Sequence, residues 1–136
     1  GGNWTLEAKT GAIEASLPFD IDRLSAYTGL LATGNGLLGE YFDNIDFTDS
    51  VLSRTDATVN FNWNGGSPDP NIGADSFSVR WTGEVLAPVT GTYQFFTNTD
   101  DGVRLFVNGQ QVIDSFINQP ATERTGSISL VAGQRY

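Results

Sequence analysis

The sequence predicts an all-β fold, an antiparallel β-sandwich or barrel with one short N-terminal helix. Three observations carry this. Aromatic and β-branched residues dominate an apolar content of 39% in 136 residues, and such side chains suit a pleated, half-buried surface. Sixteen glycines punctuate the chain, as many short strands joined by turns require. From Leu37 onward, apolar residues repeatedly alternate with polar ones at period two.

The elements follow in order. Trp4-Thr5-Leu6 reads as a short strand, Thr10-Gly11-Ala12 as a turn, and residues 13–17 as a second extended piece. Asp20 is an N-cap after Pro18. Ile21, Leu24, Tyr27 and Leu30/Leu31 follow at helical spacing, which predicts a helix over 20–32. Thr33-Gly34-Asn35-Gly36 reads as a linker. Residues 1–35 thus form an N-terminal extension, and 36–136 a β domain. Strands are expected at 38–42 and 58–63. Another runs from Phe77 through Val79 and Trp81 to Val85, and a fourth covers 92–97 after the Thr90-Gly91 turn. Residues 103–107 and 111–114 flank Asn108-Gly109-Gln110, a hairpin signal because Asn-Gly accepts positive φ. A last strand covers 127–131, with Ile128 and Leu130 on one face.

Composition excludes several functions. Sixteen acidic residues against seven basic ones give a net charge of −9, which disfavours nucleic acid and anionic membrane surfaces as partners. With no Cys, His or Met there are no Cys/His zinc sites, disulfides, thiol chemistry or Ser-His-Asp catalysis. No apolar run approaches the ~20 residues of a transmembrane helix, so membrane insertion is not expected. Glu40 and Glu84 are the nearest approach to a glycosidase pair, but nothing places them across a cleft, and the chain is not expected to be an enzyme.

The strongest chemical signal is the run from Thr99 to Gly109 (TDDGVRLFVNG), in which Asp100 and Asp101 stand side by side at a turn. Adjacent carboxylates raise the cost of ionising one another, and a bound cation removes that cost. Ca²⁺ takes several oxygen ligands, so Asp100 and Asp101 are candidate metal ligands. Asp-Gly is also an ordinary turn sequence. Asn98, two residues earlier, is a candidate for orienting the loop and touching a ligand; Asp114 and Asn118 lie near the same end. Trp63 and Trp81 could offer flat rings to a sugar, but alternation with Phe77 and Val79 favours a core role for Trp81; Tyr93 and Phe95 are core candidates too. The polar loop over 65–74, with Asp69 and Asp75 at its flanks, reads as solvated, or else as a cover for the site or the holder of a second ion. Asp43, Asp46 and Asp49 read as a surface face, since they lack EF-hand spacing. Arg80 and Arg104 read as ion-paired or as exposed cross-strand positions.

Six segments in order carry a family likeness: residues 36–44 (GLLGEYFDN), 59–70 (VNFNWNGGSPDP), 77–83 (FSVRWTG), 91–97 (GTYQFFT), 100–114 and 126–136 (GSISLVAGQRY). Together they resemble the anthrax-toxin protective-antigen 14-kDa domain family over about residues 36–136. The resemblance implies a compact antiparallel β-sandwich in an extracellular or cell-surface protein, commonly a carbohydrate-binding module. It also implies that Asp100 and Asp101, joined by a cis peptide, hold Ca²⁺ and contact sugar hydroxyls. Family members continue past the position of Tyr136 with a strand pair and a second ligand-bearing loop, so the domain is expected to be C-terminally incomplete, with its remaining calcium ligands beyond Tyr136. The resulting expectation is a calcium-dependent glycan-binding module. The alternative is a structural subunit of an extracellular filament, sheath or surface layer, assembled by strand pairing at an open sheet edge.

Overall fold

The computed structural model describes residues 4–9, 13–14 and 34–136. Among the described residues there are ten strands: β1 (Trp4–Lys9), β2 (Ile13–Glu14), β3 (Leu37–Phe42), β4 (Leu52–Asp56), β5 (Asn60–Phe61), β6 (Ser78–Gly83), β7 (Gly91–Thr99), β8 (Val103–Val107), β9 (Gln110–Ser115) and β10 (Thr122–Leu130). All pairings are antiparallel, as the sequence predicts. The helix expected over 20–32 lies outside the described residues.

The strands form a six-stranded sheet, ordered β4-β3-β6-β1-β8-β9, and a four-stranded sheet, ordered β10-β7-β2-β5. Alternation decides which side chains face the other sheet. Val79 and Trp81 on β6, Val103, Leu105 and Val107 on β8, Tyr41 on β3 and Ile113 on β9 are buried from one sheet; Phe95 and Leu130 are buried from the other. Burying large apolar side chains at about 25 cal/mol per Å² is the main favourable term holding the layers together.

The first two strands complete both layers. β1 pairs with β6 on one side and β8 on the other, with Leu6 opposite Trp81 and Leu105. Only three residues separate β1 from β2, which enters the four-stranded sheet between β7 and β5. β4 was not expected from its sequence, because Leu52 is its only apolar residue. Asn108 and Gly109 both have positive φ, at 51° and 74°, the geometry predicted for the hairpin joining β8 to β9.

The six-stranded sheet also carries an aromatic–arginine face. The Arg80 guanidinium lies 5.5 Å from the Phe42 ring centroid and 5.0 Å from that of Phe47, and Arg104 lies 4.1 Å from that of Phe116. Both arginines are half-buried cross-strand residues rather than free surface charges.

Candidate functional site

β7 belongs to one sheet and β8 to the other, so the residues between them must turn from layer to layer. Those residues are Asp100, Asp101 and Gly102, and the Asp100–Asp101 peptide is cis. Both aspartates are half-buried and border a cavity of about 340 Å³, near the lower end of the size range of small-molecule sites. The rest of the lining comes from the loop between β5 and β6: Trp63, Asn64, Gly65 and Gly66 on one stretch, Ala74 to Phe77 on another. The loop expected either to be solvated or to cover the site therefore does border it, and Asp75 joins Asp100 and Asp101 in the lining.

Rigidity of these walls comes from packing. Trp63 stacks on Phe61 at 5.1 Å and 5°, and Phe61 stacks on Trp81 at 5.9 Å and 11°. This column of three rings runs from the cavity wall into the core, while Phe77 meets Trp63 edge-on at 5.4 Å. Asp69 holds the loop by accepting hydrogen bonds from the Asn71 backbone and side chain, each 2.9 Å. Asn64 and Ser76 have φ of 52° and 61°, so both approaches to the cavity pass through left-handed backbone. Such residues gather at functional sites more often than elsewhere.

The segment after β9 braces the aspartate turn. The Gln119 backbone N–H donates to Asp101 Oδ1 at 3.3 Å, and Gln119 Nε2 donates to the Asp101 carbonyl at 3.1 Å and to Thr99 Oγ1 at 3.4 Å. Gln119 Oε1 accepts from Ser115 Oγ at 2.9 Å and from Arg124 Nη2 at 3.0 Å. Gly102 permits this brace, since a Cβ there would lie 2.8 Å from the Ile117 nitrogen.

Trp81 is fully buried and donates from Nε1 to Asp56 Oδ2 at 2.7 Å, so it is a core residue. Phe95 is buried and Tyr93 packs partly against the core, as expected. Asn98 is half-buried on β7, opposite Glu123 and Glu14, on alternate positions from buried Thr97 and Thr99; it does not border the cavity. Glu40, Glu84, Asp114 and Asn118 do not border it either. Asp43 accepts from the Gly73 N–H at 2.7 Å and so pins a loop. Sequence reading missed Gln119 and Arg124, because their partners are remote in the chain and no local motif marks them. It also missed Asp56, whose strand lacks apolar alternation.

Among the described residues, no group of three or more His, Cys, Asp or Glu side chains gathers around one point. Two carboxylates, one already accepting from Gln119, fall short of the six to eight oxygens of a full calcium shell. The pair on its own does not make a complete site.

Comparison with known proteins places this geometry. A family model described as the PA14 domain matches residues 33–136, which bears out the resemblance read from the six segments. The chain is 44% identical over 129 residues to the anti-sigma-I factor RsgI3 of Acetivibrio thermocellus, covering 95% of this chain and 20% of that protein. Among solved structures it resembles an anti-sigma factor domain-containing protein at 48% identity and TM-score 0.72. It also resembles one from Clostridium clariflavum at 40% and 0.69; each match covers 76% of this chain and 36% of the other. The chain thus spans about a fifth of the curated relative and about a third of the solved ones. These relatives correct the functional expectation. The curated relative is named an anti-sigma factor and the solved ones are named for an anti-sigma factor domain, so neither the calcium-dependent glycan-binding module nor the structural subunit stands.

Proposed function

This chain belongs to the PA14 domain family, and on that premise we propose that it is the carbohydrate-sensing domain of a longer anti-sigma factor, displayed outside the cell. The observation that carries the reading is the cavity itself, whose lining holds both paired carboxylates and the stacked Trp63. Carbohydrates present many hydroxyl donors and, on their ring faces, C–H surface. Asp100 and Asp101 would accept hydroxyl hydrogen bonds, Asn64 and Ser76 would donate or accept, and Trp63 would offer apolar contact. The similarity to anti-sigma factors supports a sensory rather than an adhesive role. Among the described residues no helix is long and apolar enough to cross a membrane.

Calcium at Asp100 and Asp101 is a separate proposal, and no step of recognition is routed through it. Its support is the juxtaposition of two carboxylates; a rise in melting temperature on adding Ca²⁺, reversed by chelator, supports it, and no shift removes it.

The test of carbohydrate recognition is affinity gel electrophoresis of the 136-residue chain against soluble xylan, glucan, mannan, galactan and polygalacturonate, followed by calorimetry on any hit. Retardation of the wild type, weakened about tenfold or more in both Asp101→Ala and Trp63→Ala, is the expected result. A folded wild type that no polysaccharide retards would overturn the reading.

A further inference from the structure

We infer that Gln119 is a positioning residue for the ligand cavity: one buried amide that locks the Asp100–Asp101 turn to the two strands beyond it. The inference rests on the carbohydrate reading for its ligand, but its geometry stands independently.

Gln119 is 8% exposed and lies in the connection between β9 and β10, outside the cavity lining. Its side chain has two donor hydrogens and an acceptor oxygen, and the structure uses both ends. The NH₂ end reaches the Asp101 carbonyl and Thr99 Oγ1, one residue on either side of Asp100. The carbonyl end is held by Ser115 Oγ and by the Arg124 guanidinium, and Arg124 Nε in turn donates to Ser115 Oγ at 3.0 Å. The amide therefore cannot flip without placing its NH₂ against the Arg124 donors and its oxygen against the Asp101 carbonyl. Its own backbone N–H adds a contact to Asp101 Oδ1. The close approach of Gly102 to the 116–117 backbone leaves the turn little room to move away.

A site that must hold ligand groups in fixed positions depends on such bracing, because each side chain ordered on binding subtracts from affinity. Ser115 and Arg124 lie on β9 and β10, at facing edges of the two sheets. The brace thus ties the turn, which crosses between the layers, to both layers at once.

The experiment compares Gln119→Glu and Gln119→Ala with the wild type, using the full 136-residue chain. Gln119→Glu keeps an acceptor for Ser115 and Arg124 but loses the donor to Asp101 and Thr99. Because it also sets a carboxylate oxygen against the buried Asp101 carbonyl, its melting temperature is expected to fall while the chain still folds, and affinity for whichever polysaccharide of the panel retards the wild type falls about fivefold to tenfold. Backbone amide order parameters at Asp101 and Gly102 need no ligand; from about 0.85 they are expected to fall below about 0.6 in Gln119→Ala. Unchanged order parameters in both variants would overturn the positioning role, as would wild-type affinity in Gln119→Glu. If no polysaccharide binds the wild type, the carbohydrate reading fails, and the order parameters still decide the brace.

Discussion

At residue scale, the best-defined polar feature in the core is one carboxylate with three donors. Asp56 is 6% exposed, and it accepts from Tyr41 Oη at 2.5 Å, Trp81 Nε1 at 2.7 Å and Arg54 Nε at 2.7 Å. A buried charge is tolerable only when its oxygens are satisfied and a counter-charge is near, and Arg54 provides that charge. Gly39 makes the arrangement possible. A Cβ there would lie 2.6 Å from Asp56 Oδ2, 2.9 Å from Tyr41 Cε2 and 3.0 Å from Trp81 Nε1. Gly39→Ala is therefore expected to cost about 1–3 kcal/mol, read as a lower denaturant midpoint at unchanged slope. Burial, and then the hydrogen bond to Asp56, raises the Tyr41 phenol above its ordinary value. The unfolded chain releases this proton from about pH 10 while the folded chain keeps it. The stabilisation is complete below pH 10 and declines as pH rises beyond it. Chemical denaturation between pH 9 and 11 should show that decline, with a shallower slope in Tyr41→Phe; equal slopes would mean that Tyr41 does not contribute. Of this cluster, sequence reading reached Trp81 as a core residue, through its alternation with Phe77 and Val79. Asp56 stayed hidden, because a carboxylate surrounded in sequence by Ser53, Arg54 and Thr55 looks like exposed surface.

At the scale of elements, the site is an outcome of strands that change layer. The alternating runs around Phe77–Trp81 and Val103–Val107 and the Asn108-Gly109 turn were legible, because period two and turn chemistry are local properties. The paired aspartates were legible as an unusual charge pattern. The brace from Gln119 and Arg124 was not, because it depends on β9 and β10 meeting across the edges of different sheets. That meeting has its own requirement at Gly126 on β10. A Cβ at this position would lie 1.9 Å from the Val112 carbonyl oxygen and 2.9 Å from Ile113 Cγ1. The backbone of β9 therefore crosses directly over Gly126. Gly126→Ala should force the two strands apart and destabilise by about 3 kcal/mol or more, since a carbonyl cannot retreat as a flexible side chain can. Because Arg124 lies two residues earlier on the same strand, the variant should also weaken ligand binding. A thermal melt paired with calorimetry checks both effects. Wild-type stability would show that β10 can slide past β9.

At the scale of the whole molecule, chain order and spatial order diverge, and this limits what a linear reading can recover. Residues 1–35 read as an extension, yet β1 is the fourth strand of six in the larger sheet. β6 and β8 are each hydrogen-bonded to it and not to one another. Its register puts Glu7 opposite both Arg80 and Arg104, an acidic position between two basic ones. Removing the β1 ladder would divide the other five strands of this sheet into β4-β3-β6 and β8-β9, leaving an open edge on each part. β8 begins two residues after Asp101, whereas β6 follows directly on the loop that supplies the rest of the cavity lining. The strand that joins β6 to β8 therefore also links the two stretches that line the cavity. Leu6→Pro tests this dependence. Proline removes a ladder donor from the centre of the sheet, where it is not tolerated, and so destabilises the strand. Hydrogen exchange should then show protection lost together in β6 and β8, with β7 and β10 retaining theirs longer, and affinity for a polysaccharide that binds the wild type should fall with it. Protection lost only at the outer strands β4 and β9 would mean that β6 and β8 hold their places without β1, and that the two stretches lining the cavity stay together without it.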